Sequence, residues 1–583
     1  NERFGYRATI FGHFGDGCVH ARMTFGLKTA EGVARFRAYM EEAADICLRH
    51  GGSLSGEHGD GQAKGELLGK MFGPELIQAF REFKTIWDPH WRMNPGKLID
   101  AQPLDSNLRL GPGYAPKRVD THFRFPEDKG SFARATERCF GVGKCRSLGG
   151  HTMCPSFLAT REEVHSTRGR ARLLFEMLRG DPLDRGWREE GVREALDLCL
   201  QCKGCKHDCP VSVDMATYKA EFLSHYYQGR LRPAAAYSMG LVMEWAPLAM
   251  RAGGLVNLLA RAPGLGGALK RMLGFSPERD TPAFAAESFQ SWFGRRPRRN
   301  RDKPPVVLWP DTFNNYFLPG TAKAAVSVLE SAGHQVLVPG ARLCCGRPLY
   351  DYGMLDLARR KLRQAIARLR PALRAGMPIV VLEPSCASVF RDELLSLMPE
   401  DEDARRLAAQ VKTLPDFLMS QKDWRPPRLE GKALLHSHCH KAVLGTEAQQ
   451  KLLEAMGLEL LENKAGCCGQ AGSFGYEREH YDVSMKIGEH ELLPAVRKAG
   501  SEALIVSDGF SCREQIRHGS GREALHPAEL VALALRPGVR PAAPAAERSY
   551  REPPAKPGLG TAVALGAIAG AGLLLWLGAR RRP

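Results

Sequence analysis

A chain of 583 residues is long enough for roughly three to four domains of about 150 residues, each able to bury its own core. Its 16 cysteines are too few for a disulfide mini-scaffold and too clustered for chance, and thiols two or three residues apart in a chain of this size point to metal ligation in a reducing compartment. The net charge of +17 comes without an aromatic-interleaved basic face or a nucleic-acid motif, so nucleic acid is not an expected partner, and anionic substrates or an anionic membrane surface fit the charge as well.

The chain opens at Asn1 inside a strand-like stretch, RATIFGHFGDG, from which a longer parent is expected. Residues 1–105 then alternate a strand pattern, a helical stretch from Glu31 to His50, a Gly-rich turn region and a second helical stretch ending at Trp87-Asp88-Pro89. GHFGDGCVH sets His13 and His20 on either side of a Gly-rich bend. GGSLSGEHGDG presents Glu57 and His58 among glycines that let the backbone approach a ligand closely. Two imidazoles and a carboxylate suit a divalent metal, zinc among the candidates, able to polarise the oxygens of a hydroxy acid. Arg22, two residues past His20, offers a planar fork for a carboxylate, with an ordinary strand-surface charge as the alternative.

Residues 131–230 carry two cysteine groups joined by a helical linker. In CLQCKGCKHDCP, Cys199, Cys202, Cys205 and Cys209-Pro210 give C-x2-C-x2-C-x3-C-P, the spacing that wraps three thiolates around one [4Fe–4S] cube and sends the fourth to a second cluster. Tetrahedral zinc is the alternative for such a run. CFGVGKCRSLGGHTMCP adds Cys139, Cys145 and Cys154-Pro155. Crossed pairing assigns Cys199, Cys202, Cys205 and Cys154 to one cluster, and Cys139, Cys145 and Cys209 to another. The second is one thiolate short, so it is either a [3Fe–4S] type or takes an unusual fourth ligand such as His151.

Residues 231–303 hold an apolar stretch around Gly254–Leu273 and a basic linker, GRRPRRNRDKPP, which reads as a solvated hinge or an anionic docking patch. Residues 304–425 and 426–535 look like one α/β unit used twice. Strand, helix, strand, CCG loop and a strand leading to Cys recur in the same order, with Cys345 and Cys468 offset by 468 − 345 = 123 and Cys386 and Cys512 by 512 − 386 = 126. Residues 536–557 are a Pro/Ala-rich linker. Residues 558–579 are an uncharged apolar stretch of membrane-spanning length, expected to anchor the chain.

These motifs carry three resemblances. The cysteine runs of residues 131–230 resemble the two-cluster ferredoxin module of iron–sulfur oxidoreductases. The duplicated half resembles the cysteine-rich CCG domain pair of the iron–sulfur subunits of glycolate oxidase and anaerobic glycerol-3-phosphate dehydrogenase, and of heterodisulfide reductase. There an upstream Cys, a Cys-Cys-Gly turn and a downstream Cys pair surround a metal cluster, which implies a site at Cys439, Cys467, Cys468 and Cys512. The first repeat supplies Cys344, Cys345 and Cys386 with no upstream Cys in DTFNNYF, and neither repeat keeps a final CxxC. The N-terminal stretches, with the later DPHWRMNPGKL, resemble the C-terminal domain of FAD-linked oxidases such as D-lactate and D-2-hydroxyglutarate dehydrogenases. That resemblance implies metal ligation by His13, His20 and Glu57, a substrate base at His58, and a substrate contact at the position of Arg22. Cys18 stands where that family usually has Asn, and the flavin-cradling domain that comes first in the family is not in this sequence.

The expected fold is multidomain α+β and α/β: a partial FAD-oxidase cap, an α-helical dicluster domain, two α/β CCG domains and a C-terminal apolar helix. The expected function is an FAD- and iron–sulfur-dependent 2-hydroxy-acid dehydrogenase passing electrons through [4Fe–4S] clusters to a quinone or another carrier, in the cytoplasm or on the cytoplasmic face of the membrane. The alternatives are a non-catalytic electron-transfer subunit docking a separate flavoprotein, and a zinc-stabilised scaffold.

Overall fold

The computed structural model describes residues 2–149, 152–536 and 543–557, in two units, 1–116 and 117–583. In the first unit, β1 (Ala8–His13) and β2 (Cys18–Met23) form an antiparallel hairpin in which Phe11 faces His20 and His13 faces Cys18. Gly12 has φ +144°, and a Cβ there would sit 2.5 Å from the Cys18 carbonyl oxygen, so only glycine lets the two strands close at this point. Helix Ala30–Arg49 starts where the Thr29 side chain accepts from the Gly32 N–H. The helical stretch Leu68–Trp87 breaks at Gly73, just before Pro74. Its core is small, Ala44, Leu67 and Leu104, and the hairpin leaves Ile10, Phe11, Phe14 and Val19 exposed.

The second unit begins with short helices, among them Pro155–Thr160, Thr167–Arg179, Glu190–Asp197, Gly204–Asp208 and Met215–Tyr226, packed through Leu174, Val192, Leu196 and Phe222. The loops between them turn sharply. Cys154, Gln201 and Lys203 all have positive φ, a conformation non-glycine residues adopt only where the surroundings impose it. The apolar stretch that follows folds as two short helices, Gly253–Arg261 and Leu265–Met272. The basic linker is not simply solvated: Arg296 forks onto Glu330 at 2.8 Å through each guanidinium nitrogen and stacks over Trp292, which ties it to the first repeat.

In the first repeat, β3 (Pro305–Leu308), β4 (Gln335–Leu337), β5 (Ile379–Val381) and β6 (Val411–Thr413) form a parallel sheet in the order β4-β3-β5-β6. The second has β7 (Gly431–His436), β8 (Leu458–Leu461) and β9 (Ala503–Ser507) in the order β8-β7-β9. In both, the opening strand lies between its two successors, so the chain crosses to opposite sides and leaves a crevice at the strands' carboxyl ends, where open α/β sheets place their ligands. The ladders run in the same sense in both repeats, and laying Val306 on Ala433, which share one core cluster, sets the opening strands 433 − 306 = 127 apart. The two repeats are joined by Glu383, which accepts from the Phe510 N–H at 2.9 Å, and by Arg513, which reaches Thr321 at 2.9 Å.

Part of the stretch that reads as a linker is docked. Within helix Ala543–Arg548, Glu547 accepts from Arg522 and the Ile505 N–H, and the Ala555 N–H donates to the Phe284 carbonyl. Among the described residues no helix is long and apolar enough to cross a membrane, and the expected span at 558–579 lies outside them.

Candidate functional site

At the N-terminus the hairpin does the positioning. Side chains alternate along a strand, so Phe11 and His13 on β1 share a face with Cys18, His20 and Arg22 on β2. The loop carrying Glu57 and His58 arrives on that face. His20 Nε2 meets Glu57 Oε1 at 2.7 Å, His58 Nε2 meets the same oxygen at 3.0 Å, and His13 Nε2 lies 3.5 Å from Oε2. The hydrogen bond from His20 above all, with the charges of His20 and His13, holds the Glu57 carboxyl below its usual range. Three imidazoles singled out by sequence thus converge on the Glu57 carboxylate. Arg22 does not join them: its guanidinium is 5.9 Å from the centre of the Phe11 ring, which itself stacks on His20. Cys18, His20 and Glu57 each offer a ligand atom within 4.8 Å of the others, so the thiol belongs with the cluster. Glu57 is 39% exposed and His58 73%, which leaves the face open to an incoming ligand.

In the helical region the cysteine side chains turn inward. Cys154 lies against Thr167, whose hydroxyl and N–H approach its Sγ at 2.8 and 2.9 Å. Cys145 neighbours Cys154, and contact with it brings the Cys145 thiol down to about 6 while burial drives Cys154 up. Arg168 feels both Cys145 and Cys139. Cys205 is pushed up to about 12 by burial, Asp214 and Cys199, with Cys209 a further neighbour. Buried thiols that raise one another this way are a donor set for a group that would take them as thiolates, which suits iron–sulfur clusters. His151, the candidate fourth ligand, lies outside the described residues.

The second repeat gathers Cys439 after β7, the Cys467-Cys468-Gly469 turn after β8, and Cys512 in the first turn of helix Phe510–Ser520 after β9. Gly469 has φ +88°, and a Cβ there would fall 2.2 Å from the Ser484 carbonyl oxygen, so the turn admits no other residue. Hydrogen bonds run Cys439, Cys467, Cys468, Cys512. They hold Cys439 and Cys468 well below the ordinary thiol value and Cys467 and Cys512 well above it. A buried site that already favours two thiolates fits a metal centre.

The first repeat keeps three thiols in the corresponding places. Cys345 and Cys386 sit 2.9 Å apart, yet burial and its neighbours push Cys344 and Cys345 well up, and Cys386 stands at about 12, its hydrogen bond from Cys345 outweighed by burial and Asp311. By the strand offset of 127, Thr312 occupies the place of Cys439, and it hydrogen-bonds Cys344 as Cys439 does Cys467.

The dicluster region touches both repeats. Arg347, next to the first CCG turn, donates to the Gln201 carbonyl at 3.0 Å, and His440 Nε2 approaches the same oxygen at 3.4 Å. After burial, the charge of Cys439 is the largest influence raising the Cys202 thiol, so the two donor sets are neighbours.

Three family models match the chain: the C-terminal domain of FAD-linked oxidases at residues 2–98, the 4Fe-4S dicluster domain at 135–213, and the cysteine-rich domain twice, at 312–391 and 434–517. Lactate utilization protein A of Bacillus licheniformis is 30% identical over 241 residues, 39% of this chain and 98% of that protein. The chain belongs to the FAD-linked iron–sulfur oxidoreductases. D-2-hydroxyglutarate dehydrogenase of Pseudomonas putida is 28% identical over 583 residues, 91% of this chain and 56% of that protein. A probable glycolate oxidase iron–sulfur subunit of Bacillus subtilis is 26% identical over 438 residues, 70% of this chain and 94% of that protein. The oxidoreductase chain spans about half the length of the dehydrogenases it matches.

Two groups in this oxidoreductase escape a reading of motifs. Lys203, inside the cysteine run, is 1% exposed and meets Asp214 at 3.3 Å, Asp392 at 2.5 Å and Glu393 at 3.2 Å. His436 is equally buried, beside Cys468 and Cys512. A lysine among cysteines looks like a surface charge in sequence. The triplet HSHCH did signal imidazoles near a ligand, but only the fold shows that His438 lies against Cys439 while His436 lies with Cys468 and Cys512.

Proposed function

We propose that the chain is the acid-oxidising and electron-carrying part of an FAD- and iron–sulfur-dependent 2-hydroxy-acid dehydrogenase, of the D-2-hydroxyglutarate, D-lactate or glycolate type. One observation carries the reading: His13, His20 and His58 all meet the Glu57 carboxylate on an open face of a glycine-closed hairpin. His13, His20 and Glu57, with Cys18 in reach, would hold a divalent metal there, whose chemistry is to polarise the substrate's hydroxyl and carboxylate oxygens. His58, the most exposed of the three imidazoles, takes the hydroxyl proton as hydride leaves the α-carbon; an imidazole titrates near neutrality and suits that task. Arg22, on the same face, attracts the substrate carboxylate.

The hydride acceptor is a flavin held by a domain ahead of residue 1. A two-stranded hairpin showing Ile10, Phe11, Phe14 and Val19 to solvent is marginal by itself and supports such a neighbour. The thiols of residues 131–230 would hold iron–sulfur clusters, whose chemistry is one-electron transfer towards a quinone or another carrier, and the proximity of Cys202 to Cys439 supports a neighbouring centre in the second repeat. The first repeat, lacking the upstream thiol, serves as support.

A second reading, a non-catalytic subunit, is favoured by the B. subtilis iron–sulfur subunit, 94% of which the chain covers. The deciding experiment joins residues 1–583 to the flavin domain of the parent and screens 2-hydroxy acids with a dye acceptor. Turnover that His58→Ala removes, with iron content unchanged, is expected. Full turnover by His58→Ala, or none by the joined protein, rejects the dehydrogenase reading.

A further inference from the structure

Beside its four cysteines the second repeat contains three buried imidazoles that the motif leaves unused: His438 and His440 lie with Cys439, and His436 lies with Cys468 and Cys512. His436 ends β7, is 1% exposed, and among the described residues neither of its ring nitrogens meets an oxygen or nitrogen partner, the Cys468 thiol being the group that reaches it. An imidazole taken out of water in that way is unfavourable unless something else claims a lone pair. One of its nitrogens, Cys468 Sγ and Cys512 Sγ all lie within 4.8 Å of one another.

The duplication supplies an independent comparison. With the opening strands offset by 127, the place of His436 is taken in the first repeat by Trp309, just as that of Cys439 is taken by Thr312. The downstream thiols persist as Cys344, Cys345 and Cys386. In the copy that lost its upstream thiol, the imidazole has gone with it, which is what a shared ligand set would do and a packing residue need not.

A third observation concerns charge. Arg279 is 2% exposed, and its guanidinium bonds to three neutral acceptors: the Gly475 carbonyl at 3.0 Å, Gln515 Oε1 at 2.7 Å and Ser484 Oγ at 3.1 Å. The charges of Cys468 and Glu514 both reach it, and a thiolate-bound metal centre beside Cys468 would add to that negative surrounding.

We infer that His436 is a ligand of the metal centre in the second repeat, completing a mixed set with Cys439, Cys467, Cys468 and Cys512. The imidazole supplies through nitrogen the donor that a final CxxC would have supplied through sulfur. A neutral nitrogen in place of a thiolate would leave the centre less negative, which raises the reduction potential of an iron–sulfur group and would favour electron flow to it from the four-thiolate set that includes Cys202.

The inference rests on the reading of this repeat as metal-holding, and the test separates the two. The full chain, Cys468→Ala and His436→Ala are purified anaerobically. Each is analysed for iron, zinc and acid-labile sulfide, and then by pulsed electron paramagnetic resonance or, if the centre is zinc, by X-ray absorption at the zinc edge. Expected are metal lost in Cys468→Ala, a directly bound nitrogen in the unaltered chain, and loss of that nitrogen signature in His436→Ala while the dicluster signals report an intact fold. His436→Cys should keep the metal and show sulfur in place of nitrogen. Metal in the repeat with no nitrogen signature, or one that survives His436→Ala, overturns the ligand assignment alone. Equal metal content in Cys468→Ala and the unaltered chain overturns the metal centre and the ligand together.

Discussion

Lys203→Met tests how the dicluster region is fastened to the first repeat. The ammonium is 1% exposed and faces Asp214 from its own region and Asp392 and Glu393 from the repeat, at 2.5 to 3.3 Å. Burial alone would favour the neutral amine, but the three carboxylates outweigh it and hold the group charged, far above its ordinary value. At an effective dielectric of about 20, each contact is worth about 5–7 kcal/mol, most of it cancelled by desolvation. Methionine keeps the length and removes the charge, so Lys206 and Arg347 alone remain against the buried carboxylates. Losing one partner of such a buried group costs roughly 3–5 kcal/mol. That is on the order of a hundred- to several-thousand-fold in the folding equilibrium. Anaerobic guanidinium unfolding, followed by tryptophan fluorescence and cluster absorbance, reads the loss. Lys203→Met with Asp392→Leu removes one charge of each sign and should recover part of it. A loss under about 1 kcal/mol would refute the claim that the charge network fastens these regions.

Other outcomes follow from the same structure. His480, 6% exposed in its side chain, meets Asp197 at 2.9 Å; burial opposes its charge, but Asp197 and Glu477 raise it to about 9, and His480 in turn brings Asp197 down to about 2. Unfolded, the two titrate near about 6.5 and about 3.9. Their contribution should therefore be complete from about pH 4 to about 6.5 and disappear as pH rises through about 9. The gap in denaturation midpoint between the unaltered chain and His480→Gln should close above that pH, and a gap that persists unchanged counts against the pair. Cys202→Ala should lose one cluster, about four irons by analysis, and stoichiometric zinc without acid-labile sulfide would reject the clusters altogether. Glu57→Gln removes the shared acceptor of three imidazoles, so titrated zinc or manganese should bind at least tenfold more weakly than to the unaltered chain.

What the sequence made legible was whatever chemistry writes as spacing. The C-x2-C-x2-C-x3-C-P run and the doubled CCG loops could be read directly, because thiolates wrapping one cluster must be near neighbours along the chain. The pairing of His13 and His20 with Glu57 was readable too, since a glycine bend brings the ends of two strands together. What stayed hidden depends on register and on charge neighbours. Trp309 answers to His436 only once β3 is laid on β7, and β6, three residues long, is too short to show a period. Lys203 and Arg296 look like solvated charges until Asp392 and Glu330 arrive from distant positions. That Arg22 stands on the face of His20 with its guanidinium near the Phe11 ring is likewise visible only once the two strands are paired.

The contrast in exposure between Glu57 in the first unit and the cysteines of the second repeat would set two clocks for metal exchange. An ion on the hairpin would trade with solution within the time of an assay, so its identity would follow the buffer, the growth medium and any chelator met on the way. A centre locked behind Cys468 and Cys512 would keep the metal installed when the chain folded. Two batches of one protein would then differ in the ion on the hairpin while sharing one colour, and a brief chelator wash followed by re-addition of single metals would separate preparation history from sequence.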